Sequence, residues 1–231
     1  MKKFFGTKQD NIIILDDEET KHLAVLRCEI GEKILCFCGD DKEYLCQIQS
    51  ISKKQTICKV LETNICSKNP NKKISLFQGL PKLDKLELIT QKITELGASE
   101  IIPFESDFTI AKTNLNKIDR LSRISQEACK QCGRSIPLKI HNPVKFNQML
   151  EMLKDYDIVL FANETNKTIS QSDLSNYNSI AIIVGSEGGF SQAEIEKIAS
   201  VSTNFGLGER ILRTETASIV LCGIVSYLTK N

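Results

Sequence analysis

Tryptophan is absent from the sequence, and histidine occurs only at His22 and His141. Without an H-E-x-x-H pair, a histidine-based zinc hydrolase centre is excluded. There is no G-x-S-x-G, which excludes a nucleophile-elbow hydrolase. No apolar run approaches the roughly 20 residues that a membrane-spanning helix needs. The first ten residues, MKKFFGTKQD, are basic but lack the apolar stretch of a secretion signal, which predicts a cytoplasmic protein with no membrane role. Charge of one sign is also missing, since the net charge is only +1.

What is abundant is cysteine, with nine residues. In a chain without an export signal these read as free thiols filling core positions. Cys129-Lys-Gln-Cys132 is the one C-x-x-C, and no second pair completes a zinc site, so no metal is expected. The near-zero net charge hides an uneven distribution. Residues 1–68 hold 11 basic and 11 acidic side chains, residues 69–145 hold 13 and 8, and residues 146–231 hold 6 and 10. The basic middle segment fits either a solvated face or an electrostatic footprint for phosphates.

Residues 1–66 read as a small β-rich unit. Residues 12–15 form an apolar strand, the acids at 16–19 open a short helix, and strands at 33–38 and 43–48 form a hairpin around Gly39. A further strand covers 55–61, and several short strands this close together suggest a small barrel. Residues 66–73 are polar and contain proline, which marks a linker. Beyond it strands at 74–77, 100–104 and 157–162 alternate with helices at 82–96, 116–132 and 146–153. This pattern predicts a mostly parallel sheet covered on both faces.

The stretch from Ser179 to Leu228 organises the rest. The apolar run 180–184 is a buried strand that leads into Gly185-Ser-Glu-Gly-Gly189. Ser191-Gln-Ala-Glu194 is a capping box that starts a helix near Gln192. A second glycine turn, Gly206-Leu-Gly208, precedes Ile211-Leu-Arg-Thr-Glu-Thr-Ala217 and an apolar helix to about Leu228. Two glycine turns separated by one helix belong on one edge of an α/β sheet, where ligands bind. The plainer reading is an ordinary βαβ unit. Nucleotide fingerprints do not fit: Gly185-x-x-Gly188-Gly189 has the wrong spacing for a dinucleotide site, and no lysine follows Gly189 as a P-loop requires.

Gly185-Ser-Glu-Gly-Gly-Phe-Ser with Leu207-Gly-Glu-Arg-Ile-Leu-Arg-Thr-Glu-Thr-Ala closely resembles the RsmE family, 16S ribosomal RNA uracil-N3 methyltransferases of the SPOUT superfamily. Further matches are His22-Leu-Ala-Val-Leu-Arg27, Gly79-Leu-Pro-Lys82, Glu95-Leu-Gly97, Arg123, Glu127-Ala128 and Gly133-Arg134. The chain departs from the family pattern at Ser186, where Pro is usual, at Phe108, where Arg is usual, and at Cys132, where Ser is usual.

The resemblance implies a PUA-like RNA-binding β-barrel over 1–68 and an α/β SPOUT domain over 73–231 whose parallel sheet carries a trefoil knot. It implies S-adenosylmethionine as cofactor, held by Ala162, Glu164, Gly185, Glu187, Gly188, Leu207, Gly208, Ile211 and Leu212. It implies Arg213 and Glu215 in catalysis, and RNA contacts from Arg27, Lys82, Arg123 and Arg134. The implied partners are 16S ribosomal RNA in the small ribosomal subunit and a second copy of the chain in a homodimer.

Methylation at N3 requires the imide proton to leave, so a base or an anion-stabilising cation is needed; Glu164, Glu187 and Glu215 are the carboxylate candidates. The plainer roles for the residues flanking Thr214 are helix capping and dipole pairing by Glu215 and a surface ion pair for Arg213. A flipped uracil stacks on an aromatic or guanidinium plane, which here falls to Phe or Arg. Alternatives are a SPOUT methyltransferase acting on tRNA or another ribosomal RNA site, a non-enzymatic RNA-binding protein, and a nicotinamide oxidoreductase using Gly185 and an acid near Glu209.

Overall fold

The computed structural model describes residues 1–109, 115–163 and 174–231. Two compact units emerge: residues 1–69 with 129–137, and residues 70–128 with 138–231. The division falls between Asn69 and Pro70, within the polar stretch 66–73. The return of 129–137 to the first unit was not legible from the sequence, because only long-range contacts define it.

The first unit comprises β1 (Lys3–Phe5), β2 (Thr7–Gln9), β3 (Ile12–Leu15), α1 (Asp17–Val25), β4 (Lys33–Phe37), β5 (Lys42–Ile51) and β6 (Thr56–Ile65). The strands form one curled half-barrel sheet in the order β1-β4-β5-β6-β3-β2, antiparallel except where β1 runs parallel to β4. Period-two alternation makes the core: Ile34 and Cys36 of β4, Tyr44, Cys46 and Ile48 of β5, and Cys58 and Val60 of β6 all point inward. The register slips between Leu45 and Cys46 and again between Ile48 and Ser50, and such bulges bend a strand. Strands β1 and β2 were missed because three residues carry no periodic signal.

Seven of the nine cysteines are buried, as core-filling thiols should be. The Cys129 and Cys132 sulfurs face the backbone carbonyls of Ile136 and Cys129.

The second unit comprises β7 (Lys73–Gly79), α2 (Leu83–Glu95), β8 (Glu100–Glu105), α3 (Leu115–Cys132, whose last turn belongs to the first unit), β9 (Lys139–Ile140) and β10 (Val144–Lys145). It continues with α4 (Phe146–Met152), β11 (Ile158–Ala162), β12 (Ser179–Val184), α5 (Gln192–Ala199), β13 (Thr203–Phe205) and α6 (Thr214–Thr229). The sheet order is β10-β8-β7-β12-β11-β13, with β9 also on β8, and every pairing is parallel.

The continuous apolar run of β12 divides between two cores. Ile180, Ile182 and Val184 pack with Leu86, Ile89 and Ile93 of α2 and Leu221 and Val225 of α6. Ala181 and Ile183 pack on the opposite face with Met149 of α4 and Ile198 of α5. Burial on both faces is why the strand shows no alternation. Because all the strands are parallel, their C-terminal ends share one edge, and the segments after β7, β8, β11, β12 and β13 emerge there together.

The opposite edge holds a buried ion cluster. Glu100, at the start of β8, accepts from Ser75 Oγ (2.8 Å), Tyr156 OH (2.8 Å), Lys73 Nζ (2.8 Å) and His141 Nε2 (2.6 Å). Burial alone would raise its pKa, but the hydrogen bonds from His141, Lys73, Tyr156 and Ser75 outweigh that and hold the carboxyl well below the usual range.

Candidate functional site at the C-terminal sheet edge

β12 ends at Val184, and the chain turns at once. Gly189 N–H donates to Ser186 O at 3.0 Å, and Gly189 takes a φ of +67°, which L side chains rarely adopt. The turn lies hard against the end of β7: a Cβ on Gly79 would come within 2.5 Å of Ser186 N. A Cβ on Gly188 would meet the Phe108 Cβ at 2.8 Å. The glycines are thus required by backbone proximity, and the turn is a thin wall between β7 and the segment after β8.

Beneath the turn lies a buried polar cluster that the sequence did not announce. Gln78, at the penultimate position of β7, has no exposed surface. Its Nε2 donates to Thr214 Oγ1 (2.9 Å) and to Gly79 O (2.9 Å), with Gly185 O at 3.3 Å. Thr214 Oγ1 in turn donates to Gly185 O at 2.6 Å, and Ser218 Oγ lies 2.5 Å from Gln78 Oε1. Gln78 of β7 therefore ties together the first glycine turn and the first turn of α6, both more than a hundred residues further along the chain. A lone glutamine in the apolar run of β7 was the available signal, since a buried amide must find partners.

α6 starts at Thr214, with Arg213 in the N-cap position by its backbone but without a side-chain capping bond. Arg213 is exposed. Glu215 is buried and bonded to Lys85 Nζ of α2 at 2.5 Å. That hydrogen bond holds the Glu215 carboxyl below its usual range. A carboxylate already stabilised by a cation is a weakened proton acceptor, and the ion pair joins α2 to α6. Lys85 was missed because its partner is 130 residues away.

Gly185, Glu187 and Gly188 lie on the first glycine turn and Gly208 on the second, with φ of +93° at Gly208. Ala162, at the end of β11, and Leu207 and Leu212 are half-buried. Ile211 is 80% exposed, so it lines no closed pocket in this chain alone. Glu164 lies outside the described residues.

Of the expected RNA contacts, Lys82 and Arg123 are exposed in the second unit and Arg27 is exposed in the first. Lys82 is the N-cap of α2, and its backbone N lies 3.4 Å from Glu187 Oε1. Arg134 is only 2% exposed, and burial lowers its pKa. A guanidinium so enclosed does not offer itself to a phosphate, so Arg134 is an interior residue of the first unit.

The capping box of α5 is present: Ser191 Oγ accepts from Glu194 N–H, and Glu194 Oε2 accepts from Ser191 N–H at 3.0 Å. It also braces the segment after β8. Asp107 N–H donates to Glu194 Oε1 (3.0 Å), and Ser191 Oγ donates to Asp107 Oδ2 (2.6 Å).

Fold and site together define an α/β protein of the ligand-on-glycine-turns class, with its site at the C-terminal ends of parallel strands and a strand-rich unit before it. Comparison with known proteins narrows the class. Residues 67–226 match the RNA methyltransferase domain and residues 15–61 match the RNA methyltransferase PUA domain. The chain is 34% identical over 227 residues to ribosomal RNA small subunit methyltransferase E of Bacillus subtilis, covering 92% of this chain and 89% of that one. Among solved structures it is similar to ribosomal RNA small subunit methyltransferase E of Neisseria gonorrhoeae bound to S-adenosylmethionine (TM-score 0.89, 25% identity, covering 99% of this chain and 98% of that one). It is also similar to a methyltransferase of Legionella pneumophila solved with the same cofactor (TM-score 0.88, 27% identity, covering 97% and 96%). The chain belongs to the RsmE family of RNA methyltransferases.

Proposed function

We propose that this protein transfers a methyl group from S-adenosylmethionine to N3 of a uridine in 16S ribosomal RNA. The observation that carries the reading is the glycine turn 185–189, tied by Gln78 and Thr214 to the start of α6 on the ligand-binding edge of a parallel sheet. The residues suit the cofactor. Gly79 and Gly188 leave no room for side chains, which holds the turn 185–189 close against the strand ends, and Ser186 Oγ is buried with no hydrogen-bond partner of its own. Backbone groups of 185–189 and 206–212 would hold S-adenosylmethionine, with Ala162, Leu207 and Leu212 beside it. When bound, the cofactor supplies an electrophilic methyl on a sulfonium.

The protein's task is then to align the acceptor nitrogen and to favour loss of its proton. Exposed Arg213, at the mouth of this edge, stabilises the uracil anion; arginine stays protonated and cannot serve as an ordinary base. Lys85 and Glu215 hold α6, and thus Arg213, in place. Glu187 and Glu164 remain the carboxylate candidates for the proton.

The RNA lies against Lys82 and Arg123, with Arg27 of the PUA-type unit contributing a further phosphate contact. Family likeness adds a trefoil knot in the C-terminal half, a homodimer, and a cytoplasmic substrate in the form of the small ribosomal subunit. No helix among the described residues is long and apolar enough to cross a membrane.

The deciding experiment is nucleoside mass spectrometry of small-subunit ribosomal RNA with and without the gene, together with calorimetry of S-adenosylmethionine binding. Loss of one N3-methyluridine on deletion is expected. Unchanged ribosomal RNA with altered tRNA would move the substrate to tRNA, and absence of cofactor binding would end the methyltransferase reading.

A further inference from the structure

We propose that Phe108 is the stacking platform for an unpaired uracil of the RNA substrate. The inference rests on the methyltransferase reading above and assigns the aromatic contact which that reading needs. Among the described aromatic residues only Phe108 and Tyr227 are exposed, and only Phe108 stands at the C-terminal sheet edge. Phe108 is 51% exposed, although its backbone is held firmly.

Its backbone and Cβ lie against Gly188 so closely that a methyl group there would stand 2.8 Å from the Phe108 Cβ and 3.1 Å from its carbonyl oxygen. The turn that presents it is closed by Thr109 N–H to Ser106 O (3.0 Å) and by Ser106 N–H to Thr109 Oγ1 (2.8 Å). The preceding residue, Asp107, is bolted to the start of α5 through both its amide and its carboxylate.

An exposed aromatic on a free loop would lose its mobility on binding and stack weakly. A ring on a turn braced at three points loses little freedom, so a base can stack on it at low entropic cost. The adjoining turn 185–189 is the cofactor wall, so a base on Phe108 lies beside the methyl donor. There is no tryptophan, and Phe190, which follows the turn, packs on Phe104 and Phe161, so Phe108 is the exposed ring on this edge among the described residues. Stacking is sequence-tolerant, because every base has a π-face, so it positions the base and leaves its hydrogen-bonding edge free to be read.

The test uses the full chain, S-adenosylmethionine and small-subunit ribosomal RNA carrying 5-iodouridine, which forms photoadducts with aromatic side chains stacked on it. An adduct mapping to Phe108 is expected. Phe108→Ala should abolish it and lower kcat/KM for RNA by about ten- to hundredfold, with cofactor affinity unchanged. Phe108→Tyr should retain both properties, and Phe108→Leu, equally apolar but without a π-face, should not. Wild-type turnover by Phe108→Ala or Phe108→Leu, or loss of cofactor affinity in Phe108→Ala, overturns the proposal. A wild-type chain that methylates RNA but gives no adduct at Phe108 overturns it alone. A wild-type chain that neither binds cofactor nor transfers methyl overturns the methyltransferase reading, and this proposal with it.

Discussion

Arg213, Thr214 and Glu215 are consecutive, yet their side chains enter three environments. Thr214 turns inward to Gln78 and Gly185, Glu215 pairs with Lys85, and Arg213 faces solvent. Local sequence could place all three near the second glycine turn but could not separate their roles, because the partners come from β7 and α2. The separation sharpens the expectation for Arg213. An anion-stabilising arginine acts mainly in the transition state, so Arg213→Ala should lower kcat by ~100-fold or more, about 2.7 kcal/mol, with little change in RNA affinity. Arg213→Lys keeps the charge but loses the planar fork, so it should recover only part of the rate. Single-turnover methylation at saturating RNA reads both; a raised KM with unchanged kcat would make Arg213 a phosphate clamp instead.

At the scale of elements, the α5 capping box was legible from Ser191 and Glu194 alone, since capping is a local interaction. Its second use, bracing Asp107, was not legible, because Asp107 lies 84 residues earlier. Ser191→Ala removes both the N-cap acceptor and the donor to Asp107. It should therefore destabilise the chain by at least the ~1 kcal/mol of a lost N-cap, and urea unfolding monitored by circular dichroism measures it. Ser191→Thr, which keeps the hydroxyl, should recover most of the loss. If Ser191→Ala unfolds at the wild-type urea midpoint, the brace carries no stability.

At the scale of the whole molecule, two arrangements depend on residues distant in sequence. The first is the Glu100 cluster at the N-terminal edge of the parallel sheet. Its carboxyl has a lowered pKa in the folded state, so it contributes stability that is present above the unfolded glutamate value of about 4.3 and is lost as pH falls below it. The melting temperature should drop steeply from pH 5 to pH 3, and Glu100→Gln should lower it at pH 7 while flattening that dependence. Equal slopes for the two proteins would remove Glu100 from the account.

The second arrangement is the return of 129–137 to the first unit. There Ser135 N–H donates to Asn69 Oδ1 at 2.9 Å, and Ser135 Oγ reaches the Asp40 carbonyl. Deleting residues 1–68 is therefore not a clean removal of an RNA-binding module, because it uncovers buried Arg134 and Ser135. The truncated protein should melt lower or aggregate, as calorimetry and gel filtration will tell. A soluble truncated protein with a wild-type melting temperature would show that 129–137 can stand without its unit.

The sequence by itself determined what depends on neighbours along the chain. The apolar runs of β7, β8, β11 and β12 specified strands buried on both faces, the 3.6-residue spacing of Leu86, Ile89 and Ile93 specified α2, and Ser191 with Glu194 started α5. The glycines at 185, 188 and 208 specified the two turns that follow β12 and β13. Tertiary structure alone decided which side chains those elements bring together: Gln78 under the glycine turn, Lys85 on Glu215, Arg134 in an interior and Phe108 against Gly188. Periodicity and capping arise from groups within about four residues of one another, so a single segment records them. A hydrogen bond or a close approach between segments a hundred residues apart leaves no local periodic signal, and it exists only once parallel pairing has set the strand ends on one edge.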